Sequence, residues 1–210
     1  MRYHRIPDES VRRLPLYLRA LLFATHDRES ISSGALADVV GVNSWQIRKD
    51  FSYFGELGTR GVGYNIEKLK KHIRKILKLD VLHKAVLVGA GKLGSAVLLH
   101  RGFSVYGFDI TAVFDNDPKK IGRKLGDTVI QSVSSLHTLK RRNIDVGIIA
   151  VPGDVAQQTV DALVKTGVKG ILNFSPSYIS VPKKVKVLTI DIAMDLARLP
   201  YYMPRNHGAG

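Results

Sequence analysis

Residues 85–94 read AVLVGAGKLG, and the small-residue run LGSAVLL continues over 93–99. A short β-rich apolar run, a glycine-dense turn and a helix start leave few folds open. The spacing Gly89-Ala90-Gly91-Lys92-Leu93-Gly94 is that of the strand–turn–helix unit that opens dinucleotide-binding parallel sheets. Its first glycine permits the tight turn, the second lets a pyrophosphate approach the backbone, and the third lets helix pack on strand. The helix start then offers unpaired N–H groups to the phosphates. Asp115 ends the next strand, 21 residues after Gly94. A carboxylate there bonds ribose hydroxyls and repels a 2′-phosphate, which favours NAD over NADP.

The rest of the second half keeps the same rhythm. Ala85–Val88, Thr111–Phe114, Val146–Val151, Ile171–Phe174 and Val185–Ile190 are short apolar runs, separated in several places by helical stretches such as Leu93–Leu99 and Asp154–Thr166. Apolar strands alternating with helices predict a parallel sheet covered on both faces.

Before Lys84 the pattern is helical. Val11, Leu14, Leu18, Leu21 and Leu22 predict one amphipathic helix with Pro15 bending its first turns. Leu36, Val39 and Val40 predict a short helix stopped by Gly41. Asn43 or Ser44 caps a third helix that runs to about Phe54. Ile66, Leu69, Ile73, Ile76 and Leu77 mark a fourth. Helix, short helix, glycine turn and helix is the order of a helix-turn-helix. At about 100° per residue, Ile47, Phe51 and Phe54 share one face of the third helix, and Trp45, Lys49 and Ser52 the opposite one, with Gln46 and Arg48 on the flanks. Such a face suits phosphates and base edges in a major groove. The segment Gly58-Thr59-Arg60-Gly61 places an arginine at the tip of a glycine hairpin, as in the wing of a winged helix that enters a minor groove.

Charge agrees with a polyanionic partner. Lys and Arg number 32 against 18 Asp and Glu, a net charge of +14, and nucleic acid is the natural counterpart of so basic a chain. Split after Lys84, each part carries 16 basic and 9 acidic residues, so the shorter first part is the denser in positive charge. MRYHRIPDES lacks a following apolar stretch, so no secretory leader is expected, and no apolar run approaches the roughly 20 residues of a membrane span. The chain has no cysteine, which is compatible with a cytoplasmic location. No metal cluster, nucleophile elbow or His–carboxylate pair stands out, so an enzyme is not expected. The alternatives are a small NAD-dependent oxidoreductase with a nucleic-acid-binding extension, and a pure binding module whose nucleotide site is vestigial.

Taken together, these stretches resemble the redox-sensing transcriptional repressors called Rex. The resemblance spans nearly the whole chain and rests on Tyr17-Leu18-Arg19, Gln46 to Gly55, Gly58 to Tyr64, Gly89 to Gly94, Phe114-Asp115 with Asp117-Pro118, Asn173-Phe174-Ser175-Pro176, and Ile190-Asp191. It implies an α/β protein with a winged helix-turn-helix DNA-binding domain over 1–80. A Rossmann-type domain binding NADH and NAD+ follows over 81–190, and a C-terminal helix and tail exchanged between subunits over 191–210. It implies a homodimer that binds a palindromic double-stranded DNA operator and releases it when NADH rises, with no membrane and no metal involved. The expected cofactor-binding residues are Gly89, Ala90, Gly91, Lys92, Leu93, Gly94, Asp115, Val151, Pro152, Phe174 and His100. The expected DNA-binding residues are Ser44, Trp45, Gln46, Arg48, Lys49, Ser52, Tyr53 and Arg60. Arg19 and Asp191 are the expected interdomain switch. The family often carries tyrosine near the nicotinamide where this chain has His100, and the tail after Tyr202 is short and polar.

Overall fold

The computed structural model describes residues 6–23, 29–100 and 102–203 and divides into two units, Met1–Val81 and Leu82–Gly210. The expectation for the tail from residue 204 onward lies outside the described residues. In the first unit, α1 (Asp8–Phe23), β1 (Ser30–Ile31), α2 (Ser33–Val40), α3 (Ser44–Ser52), β2 (Tyr64–Asn65) and α4 (Ile66–Ile76) follow in order. The helix α1 continues through Pro15 and buries Ser10, Leu14, Tyr17, Leu18 and Leu21. Its buried stripe therefore starts at Ser10 rather than at the expected Val11, which is exposed. The reason is polar: Ser10 Oγ donates to a carboxylate oxygen of Asp50 on α3 (2.9 Å).

Asp50 has no exposed surface. Besides Ser10, it accepts from Arg13 Nε (2.6 Å) and an Arg13 terminal nitrogen (2.8 Å), the Tyr17 hydroxyl (2.6 Å) and Gln46 Nε2 (2.8 Å). A buried charge is tolerable only when it is paired and hydrogen-bonded, and four side chains from two helices meet that condition here. Around this knot, Tyr17 meets Phe51 edge-on at 5.3 Å and Phe51 meets Tyr64 at 5.1 Å, tying α1, α3 and β2 together. Leu36, Ile47, Leu69 and Ile73 complete the core.

Capping sets the helix borders. Ser32 caps α2 and Asn65 caps α4 through side-chain oxygens, and Gly41 ends α2 in the left-handed region at φ 71°. Asn43, not Ser44, caps α3 by accepting from Trp45 N (2.8 Å). The helix closes at Ser52, so Phe54 lies beyond it and is only half-buried. On α2 the buried pair is Leu36 and Ala37, while Val39 is exposed and Val40 half-buried. Two turns of helix meet α3 along too narrow a seam to cover all three expected positions.

The second unit is a seven-stranded sheet in the order β5-β6-β4-β3-β7-β8-β9. The chain runs β3 (His83–Val88), α5 (Lys92–Leu99), α6 (Gly102–Val105), β4 (Phe108–Asp115), β5 (Lys124–Leu125), β6 (Thr128–Ser132), a 3-10 helix (Val133–Arg141), β7 (Val146–Ile149), α7 (Gly153–Lys165), β8 (Gly170–Asn173), β9 (Lys186–Thr189), α8 (Ile192–Leu196) and α9 (Leu199–Tyr202). Every pairing is parallel except β5 with β6. Val86, Val88, Phe114 and Ile149 pack with Leu136, Leu139, Val160 and Leu163 in one core cluster. Ala85, Leu87, Val113 and Ile148 pack with Val97 and Ile130 in a second. Strand order reverses between β3 and β7, so the crevice beyond their C-terminal ends is the topological switch point where open parallel sheets bind ligands. Among the described residues no helix is long and apolar enough to cross a membrane.

The Asp50 knot makes the first unit acid-sensitive. Burial raises the Asp50 pKa, but the hydrogen bonds from Arg13, Tyr17, Gln46 and Ser10 outweigh it and hold the carboxyl at about 2. A depressed folded pKa contributes stability that is full above the unfolded value near 4 and is lost as pH falls toward the folded one. Urea unfolding followed by the fluorescence of Trp45 should show the parent losing about 2 kcal/mol more between pH 5 and pH 2 than Asp50→Asn does. The variant should start up to roughly 3 kcal/mol less stable at pH 7, because the half-buried Arg13 keeps its charge without its partner. Parallel pH profiles for the two proteins would assign the acid sensitivity to another group.

Candidate functional site

Two sites emerge, one in each unit. In the first, α3 turns Trp45, Arg48, Lys49 and Ser52 to solvent. Lys49 Nζ stands 4.8 Å from the centroid of the Trp45 ring, a cation–π contact that holds an ammonium on the exposed face. Ser44 opens the helix and is half-buried; Tyr53 follows its last turn and is half-buried too. Ser52 Oγ donates to Lys49 O (2.7 Å). Two flank residues are also held by the protein: Arg48 donates to Ser33 Oγ on α2 at the surface (2.9 Å), and Gln46 donates inward to Asp50. Reading α3 by its outward face alone missed this second engagement.

Arg60 sits at the tip of a hairpin closed by the antiparallel bridge between Thr59 and Gly63. The Thr59 N–H donates to Gly63 O and the Gly63 N–H to Thr59 O, each at 2.9 Å. Arg60 and Val62 are exposed there. A groove of about 580 Å³ lies between this hairpin and α3, bordered by Arg48, Phe51, Ser52, Arg60 and Tyr64.

In the second unit, Gly89 leaves β3 at φ 100°, and a Cβ on it would overlap the carbonyl of Ala150 at the end of β7. A Cβ on Gly94 would overlap the carbonyl of Gly89 itself, so the third glycine is required by the loop folding on its own first residue. Gly91 differs: a Cβ there meets nothing within 4 Å. The open side of the loop is at the glycine whose backbone a pyrophosphate must approach. No side chain caps α5, which leaves its first N–H groups for a ligand. A cleft of about 630 Å³ runs past Gly89, Gly91, Asp115, Lys120, Val151 and Pro152.

Asp115 is almost wholly buried. Its Oδ2 accepts from Ala90 N (2.7 Å) and Lys120 Nζ (3.1 Å), and its Oδ1 from Asp117 N (2.8 Å). Burial raises its pKa, yet the N–H groups of Asp117 and Ala90 and the Lys120 ammonium prevail and hold it below the usual carboxylate range. The carboxylate thus braces the glycine loop from beneath while lining the cleft.

Lys92 and Leu93 are exposed in the first turn of α5. Phe174 is half-buried and packs in the cluster that holds Ala150 and Leu172. His100 ends α5, exposed, with its ring edge-on to Phe103 at 5.7 Å. Neither borders the cleft that Asp115 and Gly91 line. Arg19 is exposed on α1 in the first unit, and Asp191, in the second, caps α8 by accepting from Met194 N (3.1 Å).

The comparisons with known proteins bear on both units. A family model described as "Putative DNA-binding protein N-terminus" matches residues 5–52, and one described as "CoA binding domain" matches 80–177. The redox-sensing transcriptional repressor Rex of Carboxydothermus hydrogenoformans is 45% identical over 98% of this chain and 100% of its own. The chain belongs to the Rex family. The Rex of Syntrophomonas wolfei is 44% identical over 99% of this chain and 100% of its own. Among solved structures, the Rex-family repressor RSP in complex with NAD+ and operator DNA is 36% identical, covers 94% of this chain and 92% of its own, and has a TM-score of 0.88. RSP in complex with NADH is 35% identical, with coverages of 94% and 93% and a TM-score of 0.85.

Beside the expected Rex positions, the cleft holds residues that sequence reasoning passed over. Val133 and Lys120 border it, on the polar stretch 116–141 that shows no clear period. Asn173 is fully buried; its Nδ2 donates to the carbonyls of Ser175 (3.1 Å) and Ser177 (3.2 Å) and its Oδ1 accepts from Ser175 N (2.9 Å). Ser175 Oγ donates to Val151 O (2.5 Å). This knot fixes the loop after β8 against the loop after β7.

The two glycines separate fold from binding. Gly94→Ala should lower the Tm of the second unit by several degrees, since a methyl group collides with backbone. Gly91→Ala should leave Tm nearly unchanged and weaken binding of titrated NADH at least tenfold, because its methyl group enters the space a pyrophosphate would take. Calorimetry and NADH fluorescence check both; undiminished NADH affinity in Gly91→Ala would place the ligand elsewhere.

Proposed function

We infer that this Rex-family chain is a transcriptional repressor that binds a palindromic operator through α3 and the Arg60 hairpin and releases it on binding NADH. The carrying observation is the pairing, in one chain of the Rex family, of an exposed cationic helix–wing surface with a glycine loop open at Gly91. RSP, its relative of known structure, has been solved with NAD+ and operator DNA and with NADH, which supports both halves of the reading. The protein acts as a regulator rather than an enzyme, in the cytoplasm.

In this reading Trp45, Lys49, Ser44 and Ser52 meet the major groove with Gln46, Arg48 and Tyr53 beside them, and Arg60 enters the minor groove. The loop Gly89–Gly94 and the start of α5, with Ala90, Lys92 and Leu93, hold the pyrophosphate, and Asp115 the ribose. Val151 and Pro152 meet the nicotinamide from the cleft, and the family resemblance assigns it Phe174 and His100 as well, although neither borders the cleft here. When bound, the cofactor supplies a ring that is cationic in NAD+ and neutral in NADH. Apolar surroundings at Phe174 disfavour the cation.

The apolar surface left without cover supports a homodimer. Ile192, Met194, Leu196, Leu199, Tyr201 and Tyr202 are all exposed, and isolated exposure of so many large apolar side chains marks an interaction segment. A helix exchanged between subunits would bury them. Arg19 with Asp191 is the proposed link between cofactor state and DNA affinity, and Asp191 would trade its capping of α8 for that contact or combine the two.

Anisotropy titration of a promoter duplex tests the reading directly. The parent should bind in NAD+ and release in NADH. Lys49→Ala should weaken all sequences alike and lower the salt slope by about 1, and Arg60→Ala should cost roughly 1–3 kcal/mol. Normal operator binding by both variants at physiological salt would refute the helix–wing surface.

Cofactor choice should rest on Asp115 and its partner Lys120. Asp115→Ser removes the charge that repels a 2′-phosphate and frees the Lys120 ammonium to meet it. NADH affinity should fall and NADPH affinity rise, narrowing their ratio by roughly tenfold or more. Equal affinities for NADH and NADPH in the parent would remove Asp115 from this role.

A further inference from the structure

Gln46 is the one flank residue of α3 whose side-chain amide is held from inside the protein. Its Nε2 donates to Asp50 Oδ1 at 2.8 Å. That same oxygen accepts from Ser10 and Arg13, and the other accepts from Arg13 and Tyr17. An ionised carboxylate accepts and cannot donate, and this one is surrounded by donors. The atom of Gln46 that faces it must therefore be nitrogen. Amide orientation is usually ambiguous between O and N; here the chemistry of the partner decides it.

The consequence lies on the other end of the amide. Gln46 Oε1 has no partner among the described residues, and the buried side-chain atoms lacking one there are limited to Ser177 Oγ. Oε1 is thus reached by solvent. In the major groove, adenine N6 and cytosine N4 present donors to such an oxygen, whereas guanine N7 and O6 and thymine O4 present only lone pairs.

We propose that Asp50 is a positioning residue that turns the acceptor end of Gln46 outward, so that α3 selects an exocyclic amine at one base edge in each operator half-site. The inference rests on the DNA-binding reading above and deepens it. A carboxylate that served stability alone would, when altered, weaken all DNA sequences together. One that orients a base-reading amide changes the ranking of sequences at a single position.

The test uses the full-length protein and a duplex that the parent selects from a random-sequence library, with each base pair then replaced in turn by the other three. Anisotropy at fixed salt gives the ranking. The parent should prefer adenine or cytosine at one edge per half-site by roughly two- to tenfold, the effect of one hydrogen bond. Gln46→Ala should erase that preference at that position alone and leave the ranking at the other positions as in the parent. Asp50→Asn, whose amide can donate as well as accept, should let Gln46 turn either way and lose the same preference. Gln46→Glu keeps an acceptor oxygen but cannot donate to Asp50, so it too should lose it; this variant decides the role of Asp50 if Asp50→Asn does not fold. A parental ranking in Gln46→Ala overturns the proposal, as does a parental ranking in folded Asp50→Asn or in Gln46→Glu. A parent that selects no duplex would instead overturn the DNA-binding reading itself.

Discussion

A carboxylate sealed inside a small helical unit is the constraint on which the DNA-facing half depends. Asp50 sits on α3, and three of its partners, Ser10, Arg13 and Tyr17, come from α1. An uncompensated charge in that position would cost several kcal/mol, so α3 can hold only the rotation and height at which all donors reach it. Apolar packing alone tolerates sliding between helices; five directed hydrogen bonds do not. The outward face carrying Trp45, Lys49 and Ser52 inherits its direction from that inward anchor.

The second unit repeats the device with different parts. Asp115 is also buried and also held ionised, here by two backbone N–H groups and Lys120. Its bond to Ala90 N sets the glycine loop, as Asp50 sets α3. In both cases an acidic residue beside the functional element fixes that element's geometry, in a chain whose net charge is +14. Exposed carboxylates at these points would weaken attraction for phosphates. Buried and paired with cations, they give rigidity at little electrostatic expense to the surface.

How much of this is legible in the sequence depends on whether residue type and pattern agree. The five principal strands, the loop at 89–94 and the Arg60 hairpin are, because apolar runs and glycines state their backbone plainly. Asp50 is not, although the helical wheel puts it near the buried face beside Ile47: aspartate reads as solvent-exposed, and three of its four donor residues lie 33 to 40 residues away. The short strands β5 and β6 and the 3-10 helix carry too few apolar positions to show a period, so Val133 and Lys120 escape notice in the cleft. Val11 and Val39 mislead the other way, apolar yet exposed, since neither faces a neighbouring element.

The redox signal sets a final demand on the cofactor site. NAD+ and NADH differ by one charge at the nicotinamide, and a protein this basic repels cations. At about 10 Å in water that repulsion is worth about 0.4 kcal/mol per unit charge before screening, and salt reduces it further. Reversing a two-state population from 1:99 to 99:1 takes about 5.5 kcal/mol of differential binding. A single charge at that distance falls short by an order of magnitude, and charges lying beyond a Debye length of about 10 Å add little once salt screens them. Desolvation of the cationic ring in apolar surroundings is of the required size. In the proposed reading, discrimination belongs to the wall assigned to the ring, the loop after β8 that carries Phe174 and that the Asn173–Ser175 knot holds against Val151. A loose wall would admit water to the cation and erase the difference. On that reading the rigidity of the loop counts as much as the apolar ring of Phe174.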